Sequence, residues 1–439
     1  MTAAAIDKQA AVPAALDDRA RLRAILAGSA GNLIEWYDFY IYAFTALYFS
    51  PAFFPESDAL VQLMATSAIF AVGFLLRPIG GWFFGRWADR HGRQSAMVFS
   101  VLMMGAGALL IAVLPTFAQA GIIAPLLLLI GRMVQGFSTG GQYGTAATYL
   151  SEIAGRRRRG FWSSFQYVTL VGGQLCATLV IVALQIVLTE AQMTAWGWRV
   201  GFLIGAAGAL AIVVLRHHMH ETSTHADRAG AAAGSLAELF RVAGRPFAIV
   251  VALTAGGSLS FYAFTTYMQK YLVLTVGLGK QTATSLMLGE LVLFMLLQPA
   301  MGALSDRIGR RNNIIAFAAL ATLFTVPIFT ALAGAQGLGP AFALVLAGLV
   351  INSLYTSVSG LFKAELFPSH VRALGVGLAY GVGNALFGGT AENVAFAFKQ
   401  AGYESGFYWY VSIICALSFG AALMLKDSRR DNMLDRIAV

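Results

Sequence analysis

Two charged decapeptides, GRWADRHGRQ at residues 85–94 and GALSDRIGRR at residues 302–311, interrupt a chain that is otherwise strongly apolar. In both, an Asp-Arg pair begins four residues after the first Gly, and a Gly-Arg pair follows it. The two decapeptides start 217 positions apart (302 − 85) in a chain of 439 residues. A charged phrase that recurs at this distance indicates an internal duplication.

A second pair of motifs supports the duplication. Glu152 and Arg159 in SEIAGRRRRG are seven positions apart, and so are Glu365 and Arg372 in AELFPSHVRA. The offset between these motifs is 213 positions (365 − 152), which is close to the first offset. We therefore expect two halves of equal organisation.

Composition places the chain in a membrane. Hydrophobic residues make up 58% of it and charged residues only 12%, which does not suit a water-soluble globule. Its apolar runs are long enough to cross the bilayer as helices and do not alternate as membrane strands do. The sequence predicts an all-α integral membrane protein with twelve transmembrane helices, near 24–50, 61–84, 95–115, 122–150, 161–189, 198–215, 246–274, 283–303, 313–334, 340–364, 373–399 and 405–426.

The longest polar interruption divides six predicted helices from six. We predict a cytoplasmic tail at 1–23, a six-helix bundle at 24–216, a cytoplasmic linker at 217–244, a second bundle at 245–426 and a tail at 427–439. The linker contains a histidine cluster, at His217, His218, His220 and His225. A metal site there is one interpretation, but a polar linker is preferred because no ordered scaffold is predicted around the ligands.

The distribution of basic residues predicts the orientation. If both termini are cytoplasmic, all but six of the thirty Lys and Arg residues fall on the inner side, as basic residues in short loops do. The net charge of +9 is then explained by the membrane topology. It is weak evidence for nucleic-acid binding, which needs a solvated basic face.

The doubled decapeptide, G-x-x-x-D-R-x-G-R between the second and third helices of each half, resembles the signature loop of the major facilitator superfamily. The first helix, AGSAGNLIEWYDFYIYAF at 27–44, resembles the metabolite:proton symporters of that superfamily, as do stretches at 164–175, 261–272 and 363–389. The resemblance implies two pseudo-symmetric bundles, both termini cytoplasmic, and import of α-ketoglutarate, a 2-oxo-dicarboxylate, with protons across the bacterial inner membrane by alternating access. Sibling symporters for citrate, shikimate, succinate or a zwitterionic osmolyte share the first-helix phrase, so the substrate stays open.

Enzymatic chemistry is not expected. The sequence carries no phosphate-binding G-x-x-x-x-G-K-[ST] loop, so the proton gradient rather than ATP or a cofactor is the predicted energy source. The expected partners are a small organic anion, protons and the lipid bilayer, with the protein working as a monomer. Moving a dianion inward against an interior-negative potential costs about 4.6 kcal/mol per 100 mV, so the site needs cations and at least one acid that carries a proton.

Ionisable residues at membrane depth are functional candidates because they are expensive there. Glu35 and Asp38 are three residues apart in the first helix, and two carboxylates that close favour uptake of a proton by one of them. The alternative is a permanent pair with an arginine. Two further acids, Glu290 and Glu392, are candidate proton carriers; Glu290 has the alternatives of pairing with a cation such as Lys270 or facing away from the pocket.

Cations in the fourth and seventh helices are candidates for the carboxylates. Arg132 lies in GRMVQGFSTGGQYG, where a guanidinium can hold a carboxylate in a fork, partner the proton-binding acid, or form a fixed ion pair. Lys270 is the second cation, with snorkelling to the outer interface as its alternative. Arg77, followed by Pro78, is either an interfacial anchor or a ligand. Neutral side chains at suitable depth complete the predicted substrate site: Gln135, Tyr262, Tyr267 and Asn352.

The paired motifs predict a gate at the cytoplasmic rim. Their charges can form ion pairs when the inside is closed and separate when it opens, and the Asp can also sit at a helix N-terminus. The predicted gate residues are Asp89, Arg90, Arg93, Glu152, Arg159, Asp306, Arg307, Arg310, Glu365 and Arg372. Topology alone also explains basic loops on this side.

Overall fold

In the computed structural model, every regular element of the described residues is a helix, as the sequence predicts. The structure describes residues 18–55, 58–91, 93–140, 142–155, 158–216, 235–368, 371–426 and 433–434. Within these ranges, the side chains of 18–31, 85–86, 88–91, 93–97, 142, 145–146, 149, 152–153 and 214–216 lie outside the description.

The N-terminal half comprises eleven α-helices of the described residues and a π-helical turn. They are α1 Asp18–Phe53, α2 Ala59–Leu75, α3 Arg77–His91, α4 Arg93–Val113, α5 Phe117–Ala120, α6 Ile123–Thr139, α7 Gln142–Ile153, α8 Arg159–Ser163, α9 Phe165–Val187, α10 Glu190–Gln192, the π-turn Met193–Gly197, and α11 Trp198–Arg216.

The C-terminal half comprises nine α-helices of the described residues and a second π-helical turn. They are α12 Leu236–Phe264, α13 Thr266–Leu274, α14 Lys280–Ile308, α15 Arg310–Ala333, α16 Leu338–Thr356, α17 Ser359–Leu366, α18 Arg372–Gly383, the π-turn Asn384–Gly388, α19 Ala391–Gln400 and α20 Ser405–Leu423. Helix α12 starts inside the predicted linker and bends at Ala243, whose φ is −140°.

Eight helical stretches in the described part of the chain are long and apolar enough to cross a membrane. Two shorter apolar helices, Val98–Val113 and Ile123–Thr139, accompany them. Large apolar side chains lie on the outer surface; Ile186 is 72% exposed and Val187 79% exposed. Such side chains suit contact with lipid, because hydrocarbon solvates them as well as a protein core does.

Several helices are broken near the middle of the molecule. Helical hydrogen bonding is interrupted at Leu76, between α2 and α3 and just before Pro78, although the Leu76 backbone stays helical with φ −82° and ψ −14°. Thr265 separates α12 from α13 with φ −115° and ψ −75°, and Val358 precedes α17 with φ −115° and ψ 2°. Non-helical backbone at membrane depth occurs where it is buried in protein or lines a cavity, so these breaks mark the region to search for a site.

Glycines let the two halves approach closely on the side of the second charged decapeptide. A Cβ added at Gly302 of α14 would lie 2.5 Å from the carbonyl oxygen of Gly160 in α8. One added at Gly144 of α7 would lie 2.7 Å from the Cα atom of Gly377 in α18. Backbone contacts this close need residues without side chains, which is why the motifs at these positions are rich in glycine.

Candidate functional site

A narrow cleft of about 20 Å³ lies between the two halves, at the level of the helix breaks. The N-terminal half contributes residues of α1, α3, α6 and α7 to its wall, and the C-terminal half contributes α18. The charged side chains in the wall are Glu35 and Arg77, and two tyrosines, Tyr143 and Tyr380, lie in the same wall. The cleft is therefore polar, aromatic and shared by both halves.

Arg77 belongs to this cleft and is not an interfacial anchor. Its side chain is buried, and the guanidinium carbon lies 4.2 Å from the ring centroid of Phe39 and 4.3 Å from that of Phe74. The hydroxyl of Tyr262 lies beside it. Aromatic faces attract the guanidinium charge without neutralising it, so the positive charge remains available to an anion.

Arg132 and Asp38 are connected through an amide. The Arg132 guanidinium donates to Oε1 of Gln135 at 2.8 Å, and Nε2 of Gln135 donates to Oδ2 of Asp38 at 2.8 Å. All three side chains are buried. A fixed, direct ion pair between the acid and the arginine is thus wrong for this state, because the amide is interposed. Such a chain of hydrogen bonds transmits a change of charge at one end to the other.

The two acids of the first helix are separated by the structure. Glu35 lines the cleft, whereas Asp38 points to Gln135 on α6 and Gly205 on α11. Within the described residues, Oδ1 of Asp38 has no hydrogen-bond partner. The sequence placed both acids on one face; the positions of α6 and α11 give them different surroundings.

Lys270 forms an ion pair with Glu392, and both side chains are buried. Nζ of Lys270 lies 2.5 Å from Oε1 of Glu392 and donates to the carbonyl oxygen of Thr266 at 3.3 Å. Snorkelling of this lysine to the outer interface is therefore wrong. Its charge is compensated in this state, so a substrate carboxylate can claim it only if Glu392 gives it up.

The remaining predicted residues lie apart from this pair. Neither carboxylate oxygen of Glu290 has a hydrogen-bond partner in the described part of the chain, and Lys270 is paired elsewhere. Asn352 donates to the carbonyl oxygen of Gly348 in its own helix. The hydroxyl of Tyr267 lies 3.5 Å from Glu404, away from the cleft.

Lys363 is a buried cation that sequence reasoning missed. Its Nζ donates to Oγ of Ser359 at 2.7 Å and to the hydroxyl of Tyr143 at 3.2 Å, and it lies 4.6 Å from the ring centroid of Tyr380. The sequence assigned it to the cytoplasmic surface with its basic neighbours. Because Val358 breaks the helix before it, α17 turns this lysine inward, and no local pattern shows that rotation.

The predicted cytoplasmic contacts form around Asp306. Its carboxylate accepts hydrogen bonds from the backbone N–H groups of Gly160 at 2.8 Å and Phe161 at 3.0 Å, at the start of α8 in the other half. Arg310 donates to Asp306 at 3.1 Å and lies 3.6 Å from Glu365. The expectation that this Asp sits at a helix N-terminus is confirmed here.

Other predicted gate residues behave differently. Arg307 is exposed and has no ion pair with any described residue. Arg372 donates to the carbonyl oxygens of Phe367 and Met433, and Arg159 is buried. In the first copy of the motif, the side chains of Asp89, Arg90 and Arg93 lie outside the description, as does the side chain of Glu152.

The halves are also joined on the side opposite to Asp306. Lys280 of α14 forms an ion pair with Glu190 of α10 at 2.7 Å. Asn393 of α19 donates to the carbonyl oxygen of Met64 in α2 at 3.1 Å. With contacts at both faces, the cleft is enclosed between two sets of closures.

A metal-binding group is not found among the described residues, where no three His, Cys, Asp or Glu side chains cluster. The histidine cluster of the predicted linker lies outside the described residues.

A family model and several curated relatives match the chain. The model described as Major Facilitator Superfamily matches residues 30–391. The alpha-ketoglutarate permease of Escherichia coli (strain K12) is 52% identical over 409 residues, which cover 93% of this chain and 94% of the relative. The citrate-proton symporter of Klebsiella pneumoniae is 34% identical over 410 residues, with 91% of this chain and 90% of the relative covered. The shikimate transporter of E. coli is 32% identical over 423 residues, covering 94% and 96%.

Solved structures of the same fold exist. The xylose transporter XylE from E. coli, in a partially occluded inward-open conformation, superposes with a TM-score of 0.74 over 93% of this chain and 98% of that chain, at 15% identity.

Proposed function

The chain belongs to the Major Facilitator Superfamily, and from this membership we propose that it imports α-ketoglutarate together with protons across the bacterial inner membrane by alternating access. The observation that carries this proposal is the 52% identity to the alpha-ketoglutarate permease along nearly the whole of both chains. The identities to the citrate and shikimate transporters are 34% and 32%, which makes those substrates weaker candidates. The chain is accordingly a transporter and not an enzyme.

The proposal extends to topology and assembly. It includes twelve spans, bundles at 24–216 and 245–426, and cytoplasmic tails at both ends. The position of the Asp306 contacts supports a cytoplasmic rim, since basic residues concentrate there. We further propose that a monomer performs transport and that the proton gradient drives it without a cofactor.

Proton coupling has a physical requirement. Two protons carried with each dianion cancel the electrical cost of about 4.6 kcal/mol per 100 mV, and a further proton makes uptake electrically driven. We assign the proton-binding role to Asp38, whose Oδ1 is unpartnered among the described residues, and to Glu35, Glu290 and Glu392. A proton on Asp38 weakens the charge-assisted bond from Gln135 and thereby alters the partner of Arg132.

Substrate and proton binding are linked at the second pair. When Glu392 takes up a proton, Lys270 loses its counter-ion and becomes free to bind a carboxylate. Arg132, Gln135 and Tyr262 complete the proposed substrate site. A substrate contact of Tyr267 and Asn352 stays a prediction. In this state the Tyr267 hydroxyl lies near Glu404, and Asn352 donates to its own helix.

Uptake by the purified protein in proteoliposomes tests the proposal. We expect labelled α-ketoglutarate to accumulate in the proteoliposomes when the outside is made acidic. Unlabelled α-ketoglutarate should inhibit this uptake more strongly than citrate, shikimate or betaine, and a protonophore should stop it. Uptake that is absent, or indifferent to the protonophore, would overturn it.

A charge-removing variant tests the proton-binding role. In Asp38→Asn, we expect exchange of α-ketoglutarate across the membrane to continue while accumulation driven by the pH gradient is lost, since the amide cannot take up a proton. Asp58→Asn is the matched control, because Asp58 is exposed and caps α2 through the N–H of Val61. Equal accumulation in Asp38→Asn and the control would contradict the assignment.

A further inference from the structure

We propose that Arg77 and Lys363, one from each half, are the two cations that hold the two carboxylates of a short dicarboxylate, next to the tyrosine pair Tyr143–Tyr380. This proposal rests on the proposed function, because it names the residues that make a dianion the substrate. Neither cation belongs to the substrate site predicted from the sequence.

Among the described residues, Lys363 is a buried charge without a counter-ion. It is fully buried, and its described partners are two hydroxyls, those of Ser359 and Tyr143. No carboxylate of the described residues lies within ion-pair distance of it. Because an ammonium buried without an anion is costly, the site favours any carboxylate that can reach it.

Arg77 is in the same situation on the other half. It is 6% exposed, it is held by aromatic faces, and its Nε has no hydrogen-bond partner among the described residues. By contrast, Lys270 has Glu392, Arg310 has Asp306, and Arg132 reaches an acid through an amide. Arg77 and Lys363 thus differ from Arg132, Lys270 and Arg310 in having no acidic partner among the described residues.

The tyrosine pair brings the two cations to one place. Tyr143 of α7 and Tyr380 of α18 stack with ring centroids 3.5 Å apart, and both line the cleft together with Arg77. Lys363 contacts both tyrosines, with Nζ 3.2 Å from the Tyr143 hydroxyl and 4.6 Å from the ring centroid of Tyr380. The tyrosine pair therefore connects Arg77 in the cleft wall with Lys363, which lies next to that wall.

A dicarboxylate fits this arrangement better than a monocarboxylate. One carboxylate at Arg77 and one that replaces the Tyr143 hydroxyl as the partner of Lys363 would neutralise both charges, since a carboxylate is the stronger acceptor. A monoanion would leave one buried cation uncompensated. Binding of the dianion would also connect the two halves across the cleft, because each cation belongs to a different half.

The test compares two competitors of equal chain length. Inhibition of labelled uptake is measured with α-ketoglutarate and with 2-oxopentanoate, which lacks the distal carboxylate. In Lys363→Met we expect the inhibition constant of α-ketoglutarate to rise by about 10-fold to 100-fold, the effect of one lost charge-assisted contact, while that of 2-oxopentanoate changes by less than about threefold. Lys363→Arg should retain the preference, and Arg241→Gln, an exposed surface change, should leave both constants unchanged.

The ratio of the inhibition constants of α-ketoglutarate and 2-oxopentanoate tests whether Lys363 binds the distal carboxylate. This ratio is independent of how much of the protein folds. A ratio unchanged in Lys363→Met, or an equal loss for both competitors, would overturn the proposal. If Lys363→Met does not fold, the ratio is measured in Arg77→Gln, where an unchanged ratio has the same meaning. If the unmodified protein does not transport α-ketoglutarate, the proposed function fails; direct binding of succinate against butyrate to the purified variants then still tests the two cations.

Discussion

The contact between Asp306 and α8 predicts how strongly the cytoplasmic side is held closed. Oδ1 of Asp306 accepts from the N–H of Gly160 and from Arg310, and Oδ2 accepts from the N–H of Phe161. In Asp306→Asn, one of the two oxygens becomes an NH₂ group, which cannot accept. One backbone N–H of α8 then faces a donor, and the other bond loses its charge assistance.

The magnitude follows from these two losses. Removing charge assistance from one bond costs about 1 kcal/mol, and a further bond of about 1 kcal/mol is lost outright. In the inward-open state water solvates both partners, so the cost applies to the closed state alone. A change of about 2 kcal/mol shifts the equilibrium towards the inward-open state by about 30-fold.

Alkylation of a single cysteine measures this shift. Ser164 is buried against Gly302 at the contact between the halves, so a cysteine there reacts only when the cytoplasmic side opens. With the two native cysteines, Cys176 and Cys415, replaced by alanine, we expect Asp306→Asn to raise the alkylation rate of Ser164→Cys by about 30-fold.

The control removes the same kind of bond elsewhere. Asp58 accepts from the N–H of Val61 at 2.9 Å within its own helix, so Asp58→Asn loses charge assistance without affecting the contact between the halves. We expect it to leave the alkylation rate unchanged. If Asp306→Asn alkylates no faster than this control, the Asp306 contact does not hold the cytoplasmic side closed.

Two further predictions concern buried carboxylates. Gly205→Ala should lower the rate of α-ketoglutarate uptake by about tenfold, because the added Cβ would clash with Oδ1 of Asp38. The control is Gly208→Ala on the same helix, which should transport normally because its added Cβ meets only carbon atoms, at 3.3 and 3.4 Å. Equal uptake rates in the two variants would contradict the role of the Gly205–Asp38 contact. Glu392→Gln should lower the free energy of unfolding by about 3–5 kcal/mol, since it leaves Lys270 buried without a counter-ion. Changing both Glu392 and Lys270 to Met should recover most of this loss. Thermal unfolding in detergent measures both effects, and a double variant as unstable as Glu392→Gln would refute the prediction.

Much of the fold could be predicted because it depends on local composition. Apolar runs predicted helices throughout, and these are confirmed. The doubled decapeptide predicted charged contacts at one rim, and in the second copy Asp306 contacts α8 of the other half and Arg310; that this rim is cytoplasmic stays a prediction. Arg132 and Lys270 were identified as candidates because a charge inside an apolar run is conspicuous, and both are buried.

The hydrogen-bond and ion-pair partners of the buried charges were much harder to predict. Nothing in the sequence shows that Gln135 connects Arg132 to Asp38, 97 residues from Gln135 along the chain. Lys270 was expected to serve substrate or snorkel, and it pairs with Glu392, 122 residues away. The predicted substrate site also omitted Arg77 and Lys363, because Arg77 lies near the predicted cytoplasmic end of the second helix and Lys363 was counted with the cations of the inner surface.

The sequence by itself determined that this chain is a duplicated bundle of apolar helices with a few expensive charges inside. Hydropathy is summed over the roughly 20 residues of a membrane-spanning helix, and a repeat is a comparison of the chain with itself. Both can therefore be read without knowing which helices pack against one another. Only the tertiary structure decided which charges compensate one another and which face the cleft. That depends on the rotation of each helix and on breaks such as those at Leu76 and Val358, which change a side chain's direction without changing its hydropathy.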